Sequence, residues 1–138
     1  MLQGKIAVIT GASRGIGKAI AERFASAGAF VIINYNGSKE HAQEVKREIL
    51  EHGGNAEIMQ CNVADFAACE TFIKQIVDRY GRIDVLVNNA GITKDGLLMR
   101  MSEEAFDDVI ATNLKGAFHC IRFASRYMMI QRQGRIIN

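Results

Sequence analysis

Short aliphatic and β-branched runs alternate along the chain with longer stretches whose apolar residues recur every three or four positions. That is the pattern of buried parallel strands joined by crossover helices. Five runs read as strands: KIAVIT (5–10), AFVIIN (29–34), AEIMQ (56–60), IDVLV (83–87) and RIIN (135–138), the last with the look of a buried strand. Between the first two, Ile16, Ala19, Ile20, Phe24 and Ala27 form one helical stripe, and Gly28 stands where a left-handed C-terminal cap is wanted. Ser38 is placed to cap a second helix with the stripe Ala42, Val45 and Ile49, ending at Gly53 and Gly54. Asp65 is placed to cap a third, with Cys69, Phe72 or Ile73, Ile76 and Tyr80 inward and Gly81 closing it. After a loop over 88–101, Ser102 caps a helix with Glu103 and Glu104 at its positive end, and a separate long helix runs to about Gln133. No repeat, low-complexity segment or linker interrupts this, so residues 1–138 read as a single α/β domain.

The first strand runs directly into TGASRGIG, residues 10–17, whose last glycine already belongs to the following helix. A glycine-rich turn between strand and helix lets backbone N–H groups and the helix's positive end face a diphosphate. A side chain at Gly11, Gly15 or Gly17 would crowd that approach. The bland reading, glycines used only for backbone freedom in a tight turn, loses ground because a buried strand precedes and an amphipathic helix follows.

Composition narrows the setting. With 49% hydrophobic and 23% charged residues, the 138-residue chain is that of an ordinary globule able to bury about two-thirds of its unfolded surface. A net charge of +2, spread along most of the chain, does not advertise nucleic acid or a membrane surface. Cys61, Cys69 and Cys120 have neither disulfide-framework nor zinc spacing and read as core filler in a reducing compartment. His119 beside Cys120 reads as packing, so no metal is expected. No apolar run nears the ~18 residues of a membrane span and no secretory leader opens the chain, which points to a cytoplasmic protein.

The Gly-x3-Gly-x-Gly spacing, with NNAG at 88–91 and NLKG at 113–116, resembles the short-chain dehydrogenase/reductase family over the whole chain. More narrowly, TGASRGIG, CNVAD, DVLVNNAGITKDGLLMRM and TNLKGAF are similar to the family's 3-oxoacyl carrier-protein reductases of bacterial type II fatty-acid synthesis. The resemblance implies a Rossmann-like, doubly wound parallel sheet in strand order 3-2-1-4-5 with its C-terminal part missing. It also implies NADPH-dependent reduction of a 3-oxoacyl thioester. Two other readings stand beside it: a short-chain reductase of another ketone or alcohol, and a nucleotide-binding or assembly fragment without turnover.

An NAD-type fold usually carries an acid at the end of the second strand to hold the ribose 2′-hydroxyl. This chain has Asn34, Tyr35 and Asn36 there, while Arg14 can offer a guanidinium to a 2′-phosphate, so NADP(H) is expected over NAD(H). The resemblance further implies Gly11, Ala12, Ser13, Arg14, Gly15, Ile16 and Gly17 around the cofactor and Asn36 near the adenosine ribose. Asn62 and Val63 fall beside the adenine, and Asn89, Ala90 and Gly91 on the nicotinamide side. Asn62, Val63 and Asn89 follow the carboxyl ends of the third and fourth strands, the edge where open α/β sheets bind ligands. Asn88 reads as a residue holding backbone in the turn. Much of the family has Asp where this chain has Asn62.

The family's chemistry uses a serine, a tyrosine and a lysine, with an asparagine sustaining a proton-relay water. Only the asparagine has a match, Asn113, whose other reading is a polar residue starting or kinking the long helix. The serine is expected just past Asn138, so these residues alone are expected to be inactive. Tyr35 and Lys39 have the Tyr-x3-Lys spacing but lie on the adenosine side. Arg122, Arg126, Arg132 and Arg135 are the one basic cluster. The resemblance implies docking of acyl carrier protein at Arg132, less strongly at Arg126, against a solvated helix end. It also implies a homo-oligomer, a tetramer in the parent family.

Overall fold

The computed structural model describes residues 1–138. Five parallel strands form one sheet: β1 (Ile6–Ile9), β2 (Phe30–Tyr35), β3 (Asn55–Gln60), β4 (Val85–Val87) and β5 (Arg135–Ile137), ordered β3-β2-β1-β4-β5. The helices are α1 (Gly15–Ser26), α2 (Lys39–Glu51), α3 (Phe66–Tyr80), α4 (Glu103–Val109) and α5 (Gly116–Gln131). The central strands are apolar at consecutive positions because both faces are covered. Ile6, Val8, Ile32, Met59 and Leu86 pack on α3 and α5. Ala7, Ile9, Val31, Ile33, Val85 and Val87 pack on α1 and α2. Each fully buried aliphatic side chain contributes about 1.5–3 kcal/mol relative to exposure, so this double cover is the main term holding the sheet.

The expected Rossmann-like order 3-2-1-4-5 is the one observed. Asp65 caps α3 by accepting from the Ala68 N–H at 3.0 Å, and Gly81 closes it at φ 83°. Ser102 caps α4 through the Ala105 N–H, also at 3.0 Å. The stripe Ala42, Val45 and Ile49 is buried on α2.

Several expectations are corrected. On α1 the inward line is Gly17, Ala21 and Ala25, flanked by Ile20 and Phe24, whereas Ile16 is 74% exposed. Gly17 is jammed against the preceding turn, which sets the helix's rotation and carries its neighbour about 100° away to solvent. Ser38 precedes α2 without a side-chain cap bond, because its backbone (φ −98°, ψ 58°) departs from the extended geometry of a capping residue. The fourth strand begins at Val85. Ile83 leaves the ladder because the Gln131 side-chain amide takes its backbone, N–H to Oε1 at 3.0 Å and Nε2 to C=O at 2.8 Å. The fifth strand is not buried: Arg135, Ile136 and Ile137 are exposed, since β4 is their only neighbour. Finally, α4 and α5 are not separate. A π-helical stretch, Ile110–Lys115, joins them with helical dihedrals at both junctions, and Asn113 lies inside it.

Candidate functional site

At the carboxyl end of β1, Gly11 (φ 62°) and Gly15 (φ 60°) take left-handed backbone that other residues adopt at a cost. A Cβ on Gly17 would lie 2.4 Å from both the Gly11 carbonyl oxygen and Asn89 Nδ2. The start of α1 therefore rests directly on the turn before it. Arg14 precedes the helix in extended backbone (φ −163°), and no acidic residue occupies the first turn. The helix's positive end thus has no carboxylate of its own to neutralise it.

Two buried polar side chains at strand ends fasten this turn to its neighbours. The Thr10 hydroxyl accepts the Asn89 and Ala90 N–H groups at 3.0 and 2.9 Å. Asn89 Nδ2 returns to the carbonyls of Thr10 and Gly11 at 3.2 and 3.0 Å. On the other flank, Asn34 Oδ1 accepts the Gly11 N–H at 3.1 Å while Nδ2 donates to the Cys61 and Met59 carbonyls at 3.2 and 3.3 Å. Each bond spans adjacent strands, so β1, β2, β3 and β4 end in one braced edge.

That edge holds a cleft of about 400 Å³, with Gly11, Ser13, Arg14, Asn36, Asn62, Val63, Asn89, Ala90 and Gly91 among its walls. These expected residues come together from four loops. Of the remaining ones, Ala12 is buried, Gly15 and Gly17 shape the turn, and Ile16 points to solvent. No Asp or Glu lines the cleft. Gln60 Nε2 donates to the Asn36 backbone oxygen at 3.3 Å and to Asn36 Oδ1 at 3.1 Å. A backbone oxygen only accepts, so the Gln60 amide must present its nitrogen there, and Asn36 must answer with its oxygen. The Asn36 NH2 group is left as a donor. A second groove, lined by Glu22, Ser26, Glu48 and His52 between α1 and α2, lies away from the strand carboxyl ends.

Asn113 is not in the cleft wall, although Thr112 and Ile92 are. Its Oδ1 accepts the Ile92 N–H at 2.8 Å and its Nδ2 donates to the Ile92 carbonyl at 3.0 Å. One amide thereby replaces a strand neighbour for the loop after β4. π-helical turns inside α-helices are frequent at functional sites, and this one aims Asn113 at that loop. Asn88 Nδ2 donates to Asn138 Oδ1 at 2.9 Å, whereas Asn88 Oδ1 is buried without a partner. Thr10 and Asn34 were not among the expected site residues. Their one signal is a lone polar residue closing an apolar strand run.

The other singled-out residues lie elsewhere. Cys61, Cys69 and Cys120 are buried and unpaired, with Cys61 and Cys69 sulfurs 4.0 Å apart. His119 is buried with Nδ1 2.7 Å from the Val63 carbonyl oxygen. No group of His, Cys, Asp or Glu has metal-holding geometry. Arg122, Arg126, Arg132 and Arg135 are all exposed, and Arg132 ends α5 in left-handed backbone, φ 57°. No helix is long and apolar enough to cross a membrane.

Comparison with known proteins agrees with this geometry. Over 138 residues the chain is 53% identical to 3-oxoacyl-[acyl-carrier-protein] reductase FabG of Staphylococcus aureus, covering all of this chain and 56% of that protein. It is 48% identical to the 3-oxoacyl-[acyl-carrier-protein] reductase of Synechocystis sp. over 137 residues, again 56% of that protein. The chain thus spans a little over half the length of these curated relatives. A metagenomic short-chain oxidoreductase solved in complex with NADP superposes with a TM-score of 0.95 at 40% identity, covering 99% of this chain and 62% of that one. A short chain dehydrogenase from Burkholderia cenocepacia, also with NADP, gives 0.87 at 39%, covering 91% and 51%. With residues 5–138 matching the short chain dehydrogenase family, and the glycine turn and braced strand ends built as described, the chain belongs to that family.

Proposed function

We propose that residues 1–138 form one nucleotide-binding domain that holds NADP(H), within a protein that reduces 3-oxoacyl thioesters on acyl carrier protein. The observation that carries the cofactor reading is the cleft at the strand carboxyl ends, walled by the glycine turn and free of carboxylates. The glycine turn of residues 11–17 would face the diphosphate. Arg14 and the uncommitted NH2 of Asn36 would meet the 2′-phosphate, Asn62 and Val63 the adenine, and Asn89, Ala90 and Gly91 the nicotinamide-side ribose. The bound dinucleotide supplies the hydride for carbonyl reduction.

Both ends of the Asn113 amide are committed to Ile92, and an amide carries no titratable proton. Its amide thus holds the loop beside the cleft, and its second N–H and second oxygen lone pair remain for the relay water that the family resemblance assigns to it. The substrate reading rests on the names of the relatives in Staphylococcus aureus and Synechocystis. We assign Arg126 and Arg132 to contact with the carrier protein, and the exposed Phe106, Leu114 and Phe118 of the helical run to a second copy of this chain in a homo-oligomer.

Calorimetric titration tests the cofactor half: NADPH is expected to bind at least about tenfold more tightly than NADH, and Arg14→Ala to shrink that ratio. No heat from either dinucleotide, with folded protein, overturns the proposal. Reduction of an acetoacetyl thioester by the longest form of the protein tests the substrate half, and turnover confined to other carbonyls overturns it.

A further inference from the structure

Asn34 is the penultimate residue of β2, which lies between β1 and β3, and is only 2% exposed. Its polar atoms reach both ways. Toward β1, Oδ1 accepts the Gly11 N–H at 3.1 Å and the backbone oxygen accepts the Ala12 N–H at 2.9 Å. Toward β3, Nδ2 donates to the carbonyls of Met59 and Cys61, the second of which directly precedes Asn62. The partners fix the amide's orientation, since an N–H can only donate and the two carbonyls can only accept. Few side chains satisfy such a set. Asp would set a carboxylate against two carbonyl oxygens, and an aliphatic residue would leave all three backbone groups without this partner.

We infer that Asn34 is a positioning residue: it fixes the glycine turn against the β3 end of the cleft before any ligand arrives. The inference rests on the dinucleotide reading of that cleft. A dinucleotide spanning both walls would meet N–H groups already aimed, and the ordering cost would fall on the protein rather than on binding. A residue with a merely structural role would behave differently. Its loss would lower the folded fraction and leave the affinity of the remaining folded molecules unchanged.

Two measurements separate these cases. In the ligand-free wild type, the Gly11 amide is expected to exchange hydrogen slowly, and faster in Asn34→Ser. A wild-type Gly11 amide exchanging at the unstructured rate overturns the inference and needs no variant to fold. In titrations with NADP+, Asn34→Asp and Asn34→Ser are expected to raise Kd by about tenfold or more at unchanged stoichiometry. The penalty of Arg14→Ala is expected to shrink in either background, because a displaced turn no longer presents Arg14 correctly. If the wild type binds and both variants bind with unchanged affinity, or the penalties simply add, the inference alone falls. If the wild type takes no dinucleotide, the cleft reading falls with it.

Discussion

Gly17 shows how little room the turn leaves. Alanine there gains up to about 1 kcal/mol of helix propensity. Its Cβ, however, would meet the Gly11 carbonyl oxygen and Asn89 Nδ2 at 2.4 Å, and backbone cannot retreat from a helix it supports. The clash wins: Gly17→Ala is expected to destabilise by roughly 2–4 kcal/mol in a urea titration. A loss below 1 kcal/mol would mean the turn shifts freely. Arg132 presents the opposite case, a side chain where glycine would be easier, with φ 57° and ψ 27° at the end of α5. Relief of left-handed strain outweighs glycine's extra freedom in the unfolded chain, so Arg132→Gly is expected to raise stability by about 0.5–1 kcal/mol. The same variant is expected to weaken carrier-protein binding if Arg132 docks it. Reduced stability would show that the arginine side chain itself holds the helix end. In the sequence Gly17 stood out for its backbone and Arg132 only for its charge; the backbone angle at Arg132 comes from the chain turning into β5.

At the scale of elements, two helices with conventional capping residues differ. Asp65 makes its bond to the Ala68 N–H, while the Ser38 hydroxyl makes none and Ser38 lines the cleft instead. Asp65→Ala is expected to cost about 1 kcal/mol in thermal or denaturant unfolding, and Ser38→Ala less than about 0.5 kcal/mol. Equal losses would contradict the difference in cap geometry. The residue types announced both helix starts, but only the backbone path decided which side chain could turn back on its own helix. The same holds for the run from α4 to α5. Ser102 marked its start, yet the π-helical stretch at Ile110–Lys115 arises where Asn113 engages Ile92, a residue 21 positions away.

For the whole molecule, the α3 and α5 side of the sheet buries Cys61, Cys69 and Cys120 among Phe72, Ile73 and Phe123. Hydrogen bonding to Cys69 and burial push the Cys61 and Cys120 thiols up, so neither offers a thiolate near neutral pH, whereas hydrogen bonds from Cys120 and Cys61 pull Cys69 down, and it is shielded by its complete burial rather than by its protonation. In the folded chain no thiol is expected to react with Ellman's reagent within minutes, and all three are expected to react in denaturant. A fast-reacting thiol would show that this side opens readily. Apolar runs and their spacing were enough to determine the alternation of strands and helices, the two-sided core and the turn at residues 10–17, because burial on both faces and glycine's backbone freedom act locally. The roles of Thr10, Asn34 and Gln60 and the left-handed backbone of Arg132 were decided only by tertiary structure. Each depends on a backbone group or a chain reversal brought alongside by strand pairing or helix packing, and hydrogen bonding between distant strand ends leaves no periodic trace in the order of residues.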